Sequence, residues 1–507
     1  MCEHHTTLPR RTFLRSATAA GVATVATPML FEPAAAGRSR SRTYSGTFTG
    51  VDTPDWHYVP VEVPRGVRQI EVSYDYESTP TPIGMSANVI DIGMFDPSGH
   101  ALGNAKGFRG WSGGARRSFR ISRSGATPGY VPGPITPGTW HVILGPVAIV
   151  PPGVDWTMTV TLHFGRPGRR FKARPAPRRV EGRARGWYRG GVHLHTLHSD
   201  GRRTLREMAD AARDERLDFI VSTEHNTHSA SLHWGKHTGD DLLVVNGEEV
   251  TTRDGHWLAL GLPAGAWIDW RYRDTDEQLP RFLEQVRALG AMAVIAHPTV
   301  PIPSTGWGFG AFTEADGVEV WNGPWTLDDE GTLLRWHALL TTGTFVPALG
   351  CSDSHGHDQP VGLPQTVVHA DSLSSGAVVR AMREGHSYLA ESADVTVDLV
   401  LESPGGTATC GERLQVSATD VVTARLSVTG VPGCSGTLIA ASGPVATAAA
   451  SSDGGLTLEH ALPAAALRFV RAEVRRPATE AVPPNPVSDP VGTAMVAMTN
   501  PVFVDVG

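Results

Sequence analysis

The chain has 507 residues, 40% of them hydrophobic, enough for roughly two to four domains with real cores. Its formal net charge of −7, from 44 Lys and Arg against 51 Asp and Glu, excludes recruitment to nucleic acid or anionic membrane by overall charge. With 56 Gly and 38 Pro, loop-rich β structure is favoured over a helix bundle.

Residues 1–36 read as an address. Pro9-Arg-Arg-Thr-Phe-Leu-Arg15 is a twin-arginine pattern, a weakly apolar run follows from Ser16 to Leu30, and Ala34-Ala-Ala36 supplies a small-residue cleavage site. The run is too short and too rich in Thr and Ala to span a bilayer, and no later segment is long and apolar enough to do so. Export through the twin-arginine route follows, to an extracellular, periplasmic or envelope location.

From 44 to 164, short alternating runs such as Val59-Pro-Val-Glu-Val63 and Ile70-Glu-Val-Ser-Tyr-Asp-Tyr76 are broken by Gly and Pro. Period-two patterns of this kind predict an N-terminal β-sandwich or jelly-roll. Residues 165–186 carry nine Arg or Lys against one acid, Glu181, with three prolines, and read as an extended linker. It is expected either to lie as a strap on the acidic catalytic domain, which is favoured, or to contact wall polymers or other polyanions.

Residues 187–390 alternate strand with helix. Strands are expected at Gly191–His195, Asp218–Ser222, Leu242–Val245, Trp257–Leu260, Ala291–Ala296, Gly317–Trp321 and Phe345–Leu349; helices at Thr204–Arg213, Thr275–Leu289 and Leu327–Leu340. Repeated βα units argue a parallel sheet or barrel. From 391 to 507 β patterning returns as a second sandwich, ending in a strand pair at Met495–Met498 and Pro501–Val504. Cys410 and Cys434 share this region of an exported chain, which makes a disulfide between them plausible. Cys351 is expected to be a buried, inert thiol.

The chemistry is concentrated in the middle third. Gly191-Val-His-Leu-His-Thr-Leu-His-Ser-Asp-Gly201 places His193 and His195 two apart on a strand, so both can face one ion, with Asp200 beyond a tight turn. Thr223-Glu-His-Asn226 adds His225, and Asn246-Gly-Glu-Glu-Val-Thr251 adds an acid to bridge two ions. Glu249 is preferred there, because Glu248 should point to the other face. His256, Ala296-His-Pro298 and Ser352-Asp-Ser-His355 complete the set with His256, His297, Asp353 and His355. Imidazole and carboxylate in this mixture suit Zn²⁺, Mn²⁺ or Fe²⁺. Most of these residues sit at or just past strand C-termini, the rim where βα-barrels build active sites. Asn226, His228 and Asn322 are candidate substrate contacts, and capping is the plainer role for the two asparagines. Of the other histidines, His57, His100, His163, His337, His369 and His460 are expected to be structural, while His198, His233, His237 and His357 lie near the motifs. Gly350-Cys-Ser-Asp-Ser354 falls short of the Gly-x-Ser-x-Gly elbow, and no phosphate-binding P-loop or dinucleotide fingerprint accompanies a suitable strand.

These motifs, in this order, resemble the polymerase and histidinol phosphatase (PHP) superfamily of metallohydrolases, and within it the exported carbaryl-hydrolase-like branch. The resemblance covers about 187–390, with family flavour again in Met495-Val-Ala-Met-Thr-Asn-Pro501. It implies a distorted seven-stranded βα-barrel holding two or three divalent ions. The family's His-x-His pair falls on His193 and His195, its next ligands on Asp200 and His225, and its bridging acid on Glu249. Its later histidines fall on His256 and His297 and its closing Asp-x-His on Asp353 and His355. Glu224, where many relatives carry Asp, is a departure that bears on ligand orientation. The expected fold is therefore α/β, a PHP-type barrel flanked by two β-sandwiches. The expected function is an exported phosphoesterase, acting on phosphomonoesters or phosphodiesters through a hydroxide bridging two ions, with Glu249, Asp353 and His225 carrying catalysis. A protonated loop histidine near the rim is the candidate to assist the leaving group. Carbamate or aryl ester hydrolysis at the same site is the rival, encouraged by Trp234, Trp257, Trp267, Trp307, Trp321 and Trp325. A non-catalytic wall- or glycan-binding protein is the alternative of another class.

Overall fold

The computed structural model describes residues 39–50, 53–78, 88–302, 304–477 and 493–507; the expected signal segment, 1–36, lies outside them. The chain divides into two compact units. The first holds residues up to 173 together with Leu197–Asp200 and His225–Ala230; the second holds Arg174–Thr196, Gly201–Glu224 and Ser231–Gly507.

The first unit contains β1 (Ser39–Phe48), β2 (His57–Val63), β3 (Val67–Tyr76), β4 (Val89–Phe95), β5 (Phe108–Trp111), β6 (Ser118–Ser122), β7 (Gly138–Ala148) and β8 (Val154–Phe164). They form two antiparallel four-stranded sheets, ordered β1-β8-β3-β6 and β2-β7-β4-β5. Period-two patterning turns Ile70, Val72, Tyr74 and Tyr76 of β3 inward, where they share one core with Val59, Val61 and Val63 of β2.

The second unit opens with a strap. Its backbone is tied by Arg174 to Leu232 and Gly235, by Val180 to Leu373 and by Arg178 to Ser375, while Ala176 and Val180 are buried. There follow β9 (Gly186–Gly191), α1 (Leu205–Asp214), β10 (Phe219–Ser222), β11 (Leu243–Thr251), β12 (His256–Leu260), α2 (Leu279–Ala288), β13 (Met292–Ile295), β14 (Gly317–Asn322), α3 (Leu327–Thr341), β15 (Ala348–Cys351), β16 (Gln365–Ala370), α4 (Ser375–Glu384) and β17 (Ser387–Ala390). Strands β9 to β15 lie side by side in chain order, and β16 and β17 continue the sheet beyond β9.

This is a sheet-rich α/β fold with four α-helices among the described residues. Regular βα alternation does not hold. The four residues joining β11 to β12 are too few for a crossover, so β12 returns antiparallel, and it is antiparallel to β13 as well. The connections from β10 to β11 and from β13 to β14 contain no α-helix. Past their ends, β9 and β15 meet through a parallel bridge between Leu194 and Ser354. Buried residues of β9–β15, among them Val221, Val245, Leu258 and Val294, form one core with Val378 and Met382 of α4.

Helix α1 starts where its capping box predicts: Thr204 Oγ1 accepts from the Glu207 amide at 3.2 Å and Glu207 Oε2 from the Thr204 amide at 2.7 Å. Helix α2 starts at Leu279 rather than Thr275, because Glu277 is left-handed (φ 54°) and Pro280 is tolerated only in the first turn.

Beyond β17 the chain extends the same sheet through Thr493–Thr499, Phe469–Pro477, Ser435–Ala440 and Gly443–Ala449, and forms a second four-stranded sheet from Thr396–Ser403, Gly406–Thr409, Val421–Thr429 and Leu456–Pro463. The two last strands are not partners of each other, as the sequence led one to expect. Both pair with Phe469–Pro477, and Val502–Val506 runs parallel to Arg413–Val416. Asn500 between them bonds Ala348 and Ser387 and so turns the chain away from a hairpin. Cys410 and Cys434 are buried free thiols, so the expected disulfide is not formed. Among the described residues no helix is long and apolar enough to cross a membrane.

Candidate metal centre

Strand β9 ends at Gly191, so the His-x-His pair lies just past it, not within it. The pair is still held extended. Leu194 N donates to Thr223 Oγ1 at 2.8 Å, His195 N to the Ser354 carbonyl at 3.2 Å, and Asp353 N to the His193 carbonyl at 3.1 Å. Both rings point the same way and both are fully buried. His193 Nε2 stands 3.1 Å from Glu249 Oε2 and 3.4 Å from Asp353 Oδ1; His195 Nε2 stands 3.2 Å and 3.1 Å from the same two oxygens.

The other oxygen of Glu249 serves a second pair. Its Oε1 lies 2.8 Å from His256 Nδ1 and 3.3 Å from His297 Nε2. His256 reaches the rim because β12 is antiparallel: its first residue, paired with Thr251, lies at the end where the parallel strands finish. Glu248 points the other way, as expected, and its Oε2 accepts from the Ile268 amide at 3.0 Å. His355 stacks on His195 with ring centroids 4.1 Å apart, and its Nδ1 lies 2.8 Å from the Asp353 carbonyl.

The second unit thus brings together His193, His195, Glu249, His256, His297, Asp353 and His355. Asp200 and His225 fall in the first unit, where they face each other at 3.5 Å. In that unit Thr227 Oγ1 donates to the Gly129 carbonyl at 2.8 Å, and His198 Nδ1 lies 2.8 Å from Ser229 Oγ. Asn226 is buried there with φ 55°. His228 lies against Phe108, and burial lowers its pKa to about 4. Burial also lowers His233 and His237. These three imidazoles are therefore neutral near pH 7 and poor candidates for the protonated group expected to assist a leaving group.

Two groups of donor atoms result: His193, His195, Glu249 and Asp353 in one, Glu249, His256 and His297 in the other. The ligand atoms of each lie within 4.8 Å of one another. Ligand atoms about 2.1 Å from one tetrahedral ion lie about 3.4 Å apart, and the four nitrogen–oxygen separations in the first group are 3.1, 3.4, 3.2 and 3.1 Å. His193 Nε2 and Asp353 Oδ1 are buried with no hydrogen bond. A nitrogen and oxygen donor set of this kind fits a divalent ion, with Glu249 offering one oxygen to each group.

The electrostatics agree. Burial works against charge on His193, but Asp353, Glu319 and Glu249 outweigh it and raise its pKa well above the ordinary value. His297 is raised in the same way, burial being overcome chiefly by Glu249. Burial would raise Asp353; His193, His355 and His195 hold it well below the usual carboxylate range. The cluster therefore holds protons that a cation would displace. His297 (φ 30°) and Asp353 (φ 46°) are left-handed, a conformation costing about 1–3 kcal/mol each and kept only where the surroundings enforce it.

Sequence reasoning missed two supporting residues. Glu319, fully buried in β14, lies 2.8 Å from His193 Nδ1 and accepts the His297 amide at 3.0 Å. A lone acid in the apolar run Gly317-Val-Glu-Val-Trp321 was the available signal. Asn322 Nδ2 donates to that acid at 3.1 Å. The buried guanidinium of Arg203 spans Ser354 Oγ (2.8 Å) and the carbonyls of Gly356 (2.5 Å), His357 (3.1 Å) and Gln359 (2.9 Å), clamping the loop after Asp353. Glu224 accepts from both the amide and the hydroxyl of Thr196, next to His195. Cys351 is buried, its thiol pKa pushed well up by burial, as expected of an inert thiol. The six tryptophans considered as rim residues are all buried.

No family model matches the chain, and no curated protein matches it. Among the solved structures that resemble it at low identity are two of differing description. One is a two-domain protein from Bacteroides vulgatus containing a predicted PHP-like metal-dependent phosphoesterase, 16% identical, with 66% of this chain and 100% of that chain covered and a TM-score of 0.35. The other is an amidohydrolase from Chromobacterium violaceum with bound sulfate and no metal, 18% identical, with 34% and 89% covered and a TM-score of 0.25. Likeness at that level does not define a family.

Proposed function

We propose that this chain is a metal-dependent hydrolase of the PHP superfamily, of the carbaryl-hydrolase-like branch, and first of all a phosphoesterase. The observation that carries the reading is Glu249, whose two oxygens face two separate imidazole pairs, His193 with His195 and His256 with His297. Strands β9–β15 are taken as a distorted barrel closed where Leu194 meets Ser354. His193, His195, Glu249, His256, His297 and Asp353 would hold Zn²⁺, Mn²⁺ or Fe²⁺, which would supply Lewis acidity toward a phosphoryl oxygen and toward water. The protein's part is to keep the acceptors fixed and dry. Glu249 is buried and Asp353 half-buried among imidazoles, and Arg203 and Glu319 immobilise the segments that carry Asp353, His193 and His297. Asn322 reaches Glu319 with its amide and would orient that carboxylate before it met any substrate. The ligand roles of Asp200 and His225 rest on the motif order.

Export by the twin-arginine route belongs to the same reading, on the sequence features given above; for 165–186 the strap is the favoured role, and contact with wall polyanions is the alternative. The carbamate or aryl ester alternative was encouraged by six tryptophans around the presumed rim, whose other role was core, and all six are buried. The test is metal analysis of the purified protein with parallel assays on p-nitrophenyl phosphate, bis-p-nitrophenyl phosphate and a 1-naphthyl carbamate. Stoichiometric divalent metal and phosphoester turnover lost on chelation are expected. Protein without bound metal or turnover would return the chain to the binding-protein class, and carbamate turnover alone would favour the rival.

A further inference from the structure

Glu319 collects four donors on one buried carboxylate. Its Oε1 lies 2.8 Å from His193 Nδ1 and accepts from Cys351 Sγ at 2.7 Å. Its Oε2 accepts from the backbone amide of His297 at 3.0 Å and from Asn322 Nδ2 at 3.1 Å. An ionised carboxylate offers about four lone-pair directions, so each has its donor. We infer that Glu319 is a positioning residue for the proposed ion site and not one of its ligands. Glu319, His193 and Cys351 do lie close enough together to suggest a metal group of their own. An ion there would have to displace the donors already on the carboxylate.

Two consequences follow for the ligand set. By accepting from Nδ1, Glu319 fixes the proton of His193 on that nitrogen and leaves the Nε2 lone pair aimed at Glu249 and Asp353. By gripping the His297 amide, the same carboxylate enforces the left-handed backbone from which that imidazole projects. One side chain on β14 therefore sets the aim of a histidine in each of the two donor groups. This rests on the reading that His193 and His297 bind a divalent ion.

The experiment uses the full chain. Ion affinity is measured by titrating Zn²⁺ or Mn²⁺ against a chromophoric chelator in wild type, Glu319→Gln and Glu319→Asp, with circular dichroism as the folding control and Co²⁺ absorption as the report on ligand geometry. An amide has one acceptor oxygen and must turn its NH₂ toward two donors. Glu319→Gln is therefore expected to weaken binding about 10- to 100-fold and to shift the Co²⁺ bands, with Glu319→Asp falling between it and wild type. Nitrogen NMR of the loaded wild-type protein, labelled at histidine, is expected to show His193 protonated on Nδ1. Wild-type affinity and spectrum in Glu319→Gln, or a His193 without a proton on Nδ1, overturns the positioning role alone. Failure of the wild type itself to take up any ion overturns both readings. Should Glu319→Gln not fold, the wild-type NMR result decides.

Discussion

Glu248 and Glu249 are neighbours in β11 on opposite faces, and exchanging each for glutamine separates site chemistry from fold stability. Glu249→Gln keeps the side-chain volume but removes a charge that faces four imidazole nitrogens at 2.8–3.3 Å. Contacts to charged groups contribute about 1.5–3 kcal/mol each, and an amide forfeits at least two of the four, or about 3–6 kcal/mol. At 1.36 kcal/mol per decade that is about two to four orders of magnitude in kcat/KM, with bound metal falling alongside. Glu248 is held by burial well above the usual carboxylate range and is therefore protonated. Glutamine matches the neutral acid in shape and can still accept the Ile268 amide, so Glu248→Gln should leave activity unchanged and, below pH 4.5, stability within about 1.5 kcal/mol. The sign of its pH effect is fixed. A raised carboxyl pKa stabilises the fold fully below the unfolded value near 4.5, and that stability is lost as pH rises toward the folded value. Glu248→Gln should remove this loss and gain on wild type as pH rises from 4.5. The assays are turnover of p-nitrophenyl phosphate, metal content by mass spectrometry and urea unfolding across pH. Activity of Glu249→Gln within tenfold of wild type, or an equal loss in Glu248→Gln, would refute the reasoning.

Arg203→Ala should loosen the segment from Ser354 to Gln359 and lower ion affinity about 10- to 100-fold at intact secondary structure; unchanged chelator competition would show that the loop holds itself. His193 and His297, raised in the ion-free cluster, stabilise it below pH 6.5, and this is lost as pH rises through their folded values; ion uptake should therefore strengthen with pH and release protons, and calorimetry in buffers of different ionisation enthalpy showing none would contradict this. Arg475→Ala strips Glu330 of its only ion-pair partner described and should destabilise the second unit by about 3–5 kcal/mol in urea without altering ion affinity; a loss under about 1 kcal/mol counts against it. Cys410 and Cys434, being buried thiols, should react with a thiol reagent only after unfolding, and a melting temperature lowered by reductant would show that they are bridged.

Much of the site was legible because its chemistry is local. His193 and His195 are two apart on extended backbone, Glu249 and Glu248 separate by parity, and Asp353 and His355 follow a strand end. Arg203, which clamps the loop after Asp353, and Glu319 were not, because their roles depend on which segment lies alongside. The direction of β12 escaped for the same reason: alternation shows that Trp257–Leu260 is a strand but not which way it runs. Tryptophan burial could not be read from spacing, since a large aromatic suits a rim and a core alike. The terminal strands misled because each run satisfies its own pattern while its partner, Phe469–Pro477, is set by the sheet.

A buried gathering of acids and imidazoles can also be a structural ion-pair network, and this chain contains one for comparison. Arg471, Glu473, Arg475 and Glu330 lie at 2.6–3.1 Å, with Trp325 Nε1 closing on Glu330. Among the described residues none of their side-chain atoms is both buried and without a hydrogen bond. That is how a fold disposes of charges it keeps for itself, because an unsatisfied buried polar atom costs about 1–3 kcal/mol. Around Glu249 the same chain does the reverse. It buries His193 Nε2 and Asp353 Oδ1 without a hydrogen bond, sets both lone-pair atoms at tetrahedral-edge spacing, and holds two backbones left-handed to do so. Charges arranged for stability alone would relax toward the first pattern; the second is the arrangement that a bound cation would favour once it displaces the protons held there.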